Sequence, residues 1–97
     1  MAGKIEGVVE SVSDEGNLVT SITAEQLQNK NAPTDETVTI VCDEHETLGI
    51  FQADHQQPPM TYIALIGPGG NLELAIVGES ARMMLGVREG APVVVKW

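Results

Sequence analysis

Turn signals recur along this chain at intervals of about 8 to 12 residues, separating short runs rich in Val, Ile and Thr, and that spacing constrains the fold more than any other feature. "KIEGVVESVS" (residues 4–13) is the first such run, with Ile5, Val8 or Val9, and Val12 as apolar anchors and Gly7 as a candidate β-bulge. "DEGN" follows it, a set of residues that tolerates the positive φ of a tight turn, and "LVTSI" (18–22) returns as a second strand. Asn17 is read first as a turn residue suited to the left-handed region, with a ligand-contacting role as the alternative.

"TVTIVC" (37–42) alternates β-branched residues and is the strongest strand signal in the chain. The turn "DEHE" leads from it into "TLGIFQ", which makes a second hairpin. "ADHQQPP" (53–59) must be a loop because of its two prolines. "MTYIALI" (60–66) and "NLELAIV" (71–77) flank "GPGG" as a third hairpin, and "PVVVKW" closes the chain as a last strand. Helix signals are short. Thr23 with Gln26 has capping-box spacing ahead of "AEQLQNK", and Ser80 precedes "ARMMLG", a helix with Ala81, Met84 and Leu85 on one face and Gly86 at its end. Met83 and Met84 are read as core filler.

These elements predict one domain over residues 1–97, mainly β: a small antiparallel β-barrel of about seven strands with two short helices. A sandwich fits the same pattern, but a parallel α/β sheet does not, because no helix is long enough for a crossover.

Charge narrows the partners. Fourteen acidic against 5 basic residues give a net charge of −9, which repels nucleic-acid phosphates and anionic membranes. Neither nucleic acid nor membrane is an expected partner. No apolar run approaches a membrane span, and "MAGKIEGVVE" has no signal-peptide core. The single Cys42 has no partner for an intrachain disulfide. The expected location is the cytoplasm.

Few residues suggest chemistry on their own. "CDEHE" (42–46) supplies a Cys-x-x-His pair, two metal ligands at best with His55 a distant third, and reads first as a solvated acidic turn. No metal, cofactor or catalytic residue is expected. "GPGG" lacks a following Lys-Ser/Thr and a helix to receive a phosphate, although its glycines would let a flat ligand approach the backbone. Phe51 is read as core or as a stacking wall for a ligand. Trp97 is read as a cap on the barrel or as a subunit contact.

The order of the motifs adds a resemblance. Gly7 with Val9, Gly16 to Ile22, Gly67 to Ile76, Ser80 with Ala81, Leu85 with Gly86, and Gly90 to Val93 together resemble the C-terminal domain of the S-adenosyl-L-methionine hydroxide adenosyltransferase family, which includes the fluorinating and chlorinating enzymes. The resemblance implies a small β-barrel that holds the adenine end of S-adenosylmethionine at a subunit interface of a trimer. The catalytic Asp and anion pocket belong to a larger N-terminal domain that this stretch does not include. Carried over by position, the candidate adenine site is Asn17, Phe51, Gly67, Pro68 and Gly69. Glu15 replaces the family's aromatic wall, Ser21 its second Asn, and Gly67–Pro68–Gly69 its Asn-Ser turn.

The expected function is therefore a non-catalytic stand-alone barrel, an interaction or oligomerisation module with a degenerate adenosine-type pocket, forming a homo-oligomer such as a trimer. The alternatives are a module that binds adenosine or S-adenosylmethionine, and a trans-acting subunit of a hydrolase-like enzyme. Catalysis by this chain alone is not expected.

Overall fold

The computed structural model describes residues 3–52 and 54–97. Eight strands and two helices follow one another as β1 (Lys4–Val12), β2 (Leu18–Thr23), α1 (Ala24–Asn29), β3 (Thr39–Cys42), β4 (His45–Leu48), β5 (Ile50–Phe51), β6 (Tyr62–Ile66), β7 (Asn71–Ile76), α2 (Ala81–Leu85) and β8 (Pro92–Lys96). They form one mainly β sheet in the order β4-β3-β8-β1-β2-β7-β6-β5, rolled into a nearly closed barrel. The loop predicted over 53–59 is irregular from Asp54 on, and Ala53 lies outside the described residues.

The two edge strands come from a single stretch of chain, which is how the sheet nearly closes. The sequence predicts "TLGIFQ" as one strand. Instead Gly49, at φ +81°, breaks it into β4, antiparallel to β3, and β5, parallel to β6. Among the described residues the strands number eight, in keeping with the small barrel of about seven expected, and one pair, β5 with β6, is parallel while the others are antiparallel. The kink keeps its backbone satisfied: Gly49 N–H donates to Val38 O at 3.0 Å and Ile50 N–H to Thr34 O at 2.9 Å. Thr47 Oγ1 then donates to Tyr62 O at 3.0 Å across the gap between β4 and β6.

Gly7 is not a bulge. It pairs in register with Val93, and the β1–β2 register shifts between Val9 and Ser11 instead. A side chain at Gly7 would collide with Ser21 Oγ and Ile22, so the glycine serves close approach of β1 and β2. Of the alternative anchors, Val9 faces the core and Val8 is exposed.

Both helix starts form as their local signals predict. Gln26 N–H donates to Thr23 Oγ1 at 3.2 Å while Thr23 N–H donates to Gln26 Oε1 at 2.9 Å, a reciprocal capping box. Met83 N–H donates to Ser80 Oγ at 3.3 Å, and Gly86 ends α2 in the left-handed region. The methionines depart from expectation. Met83 is 83% and Met84 53% exposed, so neither fills the core. Only Ala81 of α2 is buried, because a five-residue helix presents little more than one position to the barrel.

Side chains at alternate strand positions build the barrel interior, with Leu18, Ile22, Ile40, Leu72, Leu74, Val93 and Val95 fully buried. Leu27 of α1 and Ala81 of α2 join this core, and Trp97 packs on it from the chain's end, over Gly3. A second, smaller cluster, Ile63, Leu65 and Ala75 with Phe51 and Val77, lies on the opposite face of β6 and β7. No helix among the described residues is long and apolar enough to cross a membrane.

Cys42 points into the main core. Burial, and secondarily the neighbouring Asp43 carboxylate, pushes its thiol up to about 11. Tyr62 is shifted upward as well, first by burial and then by Cys42, and its hydroxyl finds no hydrogen-bond partner among the described residues. The unfolded thiol releases its proton near 9, before the folded one, so the unfolded chain holds fewer protons in that window and stability falls as pH rises from about 9 toward about 11. Thermal melts should drop over this range in the wild type and drop less in Cys42→Ala. An equal slope in both would reject the assignment.

Candidate functional site

The turn between β1 and β2 is tied into a compact loop. Ser13 N–H donates to Asn17 O at 2.9 Å, Gly16 N–H to Ser13 O at 2.9 Å, and Asn17 N–H to Ser13 Oγ at 3.1 Å. Gly16 takes the positive φ, +87°, and Asn17 does not. The reading of Asn17 as a left-handed turn residue is therefore corrected, and its identity answers to what its side chain touches. Asn17 Nδ2 donates to Glu73 Oε1 at 3.3 Å.

Glu73 sits on β7 opposite Leu65 of β6 and Val19 of β2, on the outward face that also carries Ala75. Only 8% of it is exposed. Its carboxylate lies over Gly67, where Oε2 occupies the space a β-carbon would need. Gly67 is thus glycine because the chain's own carboxylate packs on its backbone, a close approach that "GPGG" suggested for a ligand. Gly70, at φ +83°, closes the turn with its N–H donating to Gly67 O at 3.0 Å.

These parts border a cleft of about 550 Å³. Glu15 and Asn17 form one wall and Pro68 another. Leu65 and Ala75 give an apolar floor with Glu73 among them. The loop before β6 contributes His55, and the turn after β7 contributes Val77 to Ser80. Gly16 O accepts from Arg82 N–H at 3.0 Å, which locks the first wall onto α2.

The predicted residues separate on this geometry. Asn17 and Pro68 line the cleft. Gly67 underlies the Glu73 carboxylate, and Gly69 is in the same turn with Asn71 Oδ1 as its neighbour. Phe51 pairs with Leu65 and packs in the outer cluster, edge to face with His55 at 6.3 Å between ring centroids. It packs beside Leu65 on the same outer face without lining the cleft, and borders a separate groove with Thr34, Asp35 and Leu48. Glu73 carried no role in the sequence reading. A signal was available: positions 63, 65, 75 and 77 are apolar as well as the inward-facing 64, 72, 74 and 76, so both faces of this hairpin are covered, and a Glu on a covered face needs a partner.

The "CDEHE" residues form the β3–β4 turn, with Asp43 at φ +56° and Cys42 paired with His45. Among the described residues no three His, Cys, Asp or Glu side chains gather as a metal site would require.

Solved structures share the barrel. An uncharacterised conserved protein from Thermotoga maritima superposes with a TM-score of 0.76 at 22% identity, over 95% of this chain and 35% of its own. A conserved hypothetical protein from Thermus thermophilus superposes with a TM-score of 0.69 at 23% identity, over 93% of this chain and 32% of its own. This chain thus spans about a third of the length of either. No curated protein matches it significantly. The model of the SAM hydroxide adenosyltransferase C-terminal domain matches residues 14–94, from the turn that carries Asn17 to the last strand. The chain belongs to the SAM hydroxide adenosyltransferase C-terminal domain family.

Proposed function

We propose that the chain is a non-catalytic interaction module that associates with further copies of itself through the face around α2 and the cleft, the adenosine-type pocket having been altered. The observation that carries this reading is the exposure of Met83 and Met84 on α2, next to Ser80 at the cleft's lip, with Met60 exposed beside Val77. Three unbranched apolar side chains around a concave site suit an adaptable contact between proteins. Charge works against it: copies carrying −9 each repel one another, and salt screens that repulsion. Mass in solution should therefore shift from monomer toward oligomer as salt rises. Met83→Glu should hold the chain monomeric, since losing one buried methionine removes about 1.5–3 kcal/mol from the contact. A monomer at all salt concentrations would refute self-association.

A second reading, that the cleft takes adenosine or S-adenosylmethionine, is favoured by the cleft itself and by Asn17 in its wall. Amide NMR shifts at Asn17, Pro68-flanking residues and Glu73 on adding adenosine would support it. Silence up to millimolar ligand would reject it. A role as the trans-acting subunit of a hydrolase-like enzyme is compatible with either reading.

A further inference from the structure

Sulfur is placed unevenly over this fold. The chain's one thiol, Cys42, is fully buried in the main core, and burial pushes it up to about 11, so that it stays a thiol rather than a thiolate at neutral pH. Three thioethers have the opposite placement: Met60, Met83 and Met84 are each more than half exposed. Backbone hydrogen bonds tie all three to one turn of chain. Met83 N–H donates to Ser80 Oγ at 3.3 Å, Met84 N–H to Ser80 O at 3.0 Å, and Met60 N–H to Val77 O at 2.8 Å. Val77 to Ser80 line the cleft, so the exposed methionines reach its lip from two elements, the loop before β6 and α2.

We infer that Met60, Met83 and Met84 form an oxidant-responsive site: hydrogen peroxide converts their thioethers to sulfoxides, and this releases the self-association of the chain. The inference rests on the proposed self-association through this face, and it names the regulation of that contact. The chemistry is a two-electron transfer of one oxygen atom. A sulfur lone pair attacks one peroxide oxygen, and the S–O bond forms as the O–O bond breaks. The departing hydroxide takes the proton from the transferred oxygen and leaves as water. Sulfur is oxidised, peroxide is reduced, and no further reactant is needed. Each sulfoxide puts a polar S–O group where the contact requires an apolar side chain, and burying it without a donor is costly. An accessible thiolate would compete for the oxidant, and the burial of Cys42 removes that competitor.

The test treats the wild-type protein with hydrogen peroxide at low salt, where the copies are apart and the sulfurs open, then removes the peroxide and raises the salt. Peptide mapping by mass spectrometry should find one added oxygen on each of Met60, Met83 and Met84, gained about tenfold or more faster than any oxidation of Cys42. Mass in solution should show the oxidised protein associating at least about tenfold more weakly than untreated protein, and reduction by methionine sulfoxide reductases should restore it. A variant combining Met60→Leu, Met83→Leu and Met84→Leu keeps apolar side chains without the sulfurs, so it should associate before and after peroxide alike. Oxidation of Cys42 as fast as the methionines would overturn the inference. An oligomer that persists with all three sulfoxides in place rejects the switch and leaves self-association standing, whereas untreated protein that is monomeric at every salt concentration rejects both.

Discussion

Gly16→Ala is expected to lower stability by about 3 kcal/mol, which for a domain of this size is a fall in Tm of roughly 15 °C or more. Two effects combine at this one position. Gly16 has φ +87°, where an L side chain is strained by about 1–2 kcal/mol. A β-carbon there would also overlap the Ser80 side chain and lie 2.7 Å from Ser80 Cα, which is backbone and cannot rotate away. Relief requires the β1–β2 turn and α2 to separate, which breaks the hydrogen bond from Arg82 N–H to Gly16 O. Gly90 supplies the control. Its φ is +89°, yet nothing lies within 4 Å of where a β-carbon would stand, so Gly90→Ala meets only the conformational strain. Melting both variants isolates the steric part, expected at about 1–3 kcal/mol. Equal losses in the two would mean that the turn does not bear on α2. Because Asn17 follows directly, Gly16→Ala should also shift the cleft's amide resonances while Gly90→Ala leaves them in place.

How far each feature could be read from the sequence follows from how local its cause is. The two N-caps, the left-handed end of α2 and the hairpin turns each depend on residues within three or four positions, and these formed where the sequence put them. The kink at Gly49 depends on β3 on one side and β6 on the other, so "TLGIFQ" by itself resembles any six-residue strand. Met83 and Met84 are neighbours within the helical segment, but only the packing of α2 on the barrel tells which side of so short a helix faces out. The cleft is the least local feature. Asn17 and Glu73 are 56 positions apart and meet only because β2 pairs with β7. Family resemblance brought Asn17 and the "GPGG" turn forward, but the carboxylate that joins them needed the sheet.

The two hydroxyl residues of "VTSI" are expected to differ sharply on removal, although they are neighbours on one strand. The β2–β7 register shifts between Val19 and Thr23, which leaves ladder positions unpaired there. Thr20, fully buried, fills them: its Oγ1 accepts from Ile22 N–H at 3.2 Å and donates to Leu72 O at 2.7 Å. Asn71 Nδ2 completes the repair by donating to Thr20 O at 2.8 Å. Thr20→Val keeps the shape and strands a donor and an acceptor away from water, so it should lose about 2–3 kcal/mol, with Ile22 losing hydrogen-exchange protection. Ser21 performs the matching repair on the other side, accepting from Val8 N–H at 3.1 Å beside the β1–β2 irregularity, but at an exposed position. Water can replace that hydroxyl, and Ser21→Ala should lose less than about 1 kcal/mol. Thr20→Ser retains both hydrogen bonds and should recover more than half of the loss, giving up only a methyl group. If Thr20→Val melted with Ser21→Ala, the bulge would be stabilised by its apolar packing alone. If the predicted order holds, the hydroxyl at position 20 belongs to the framework that sets β7, and with it Glu73, against Asn17.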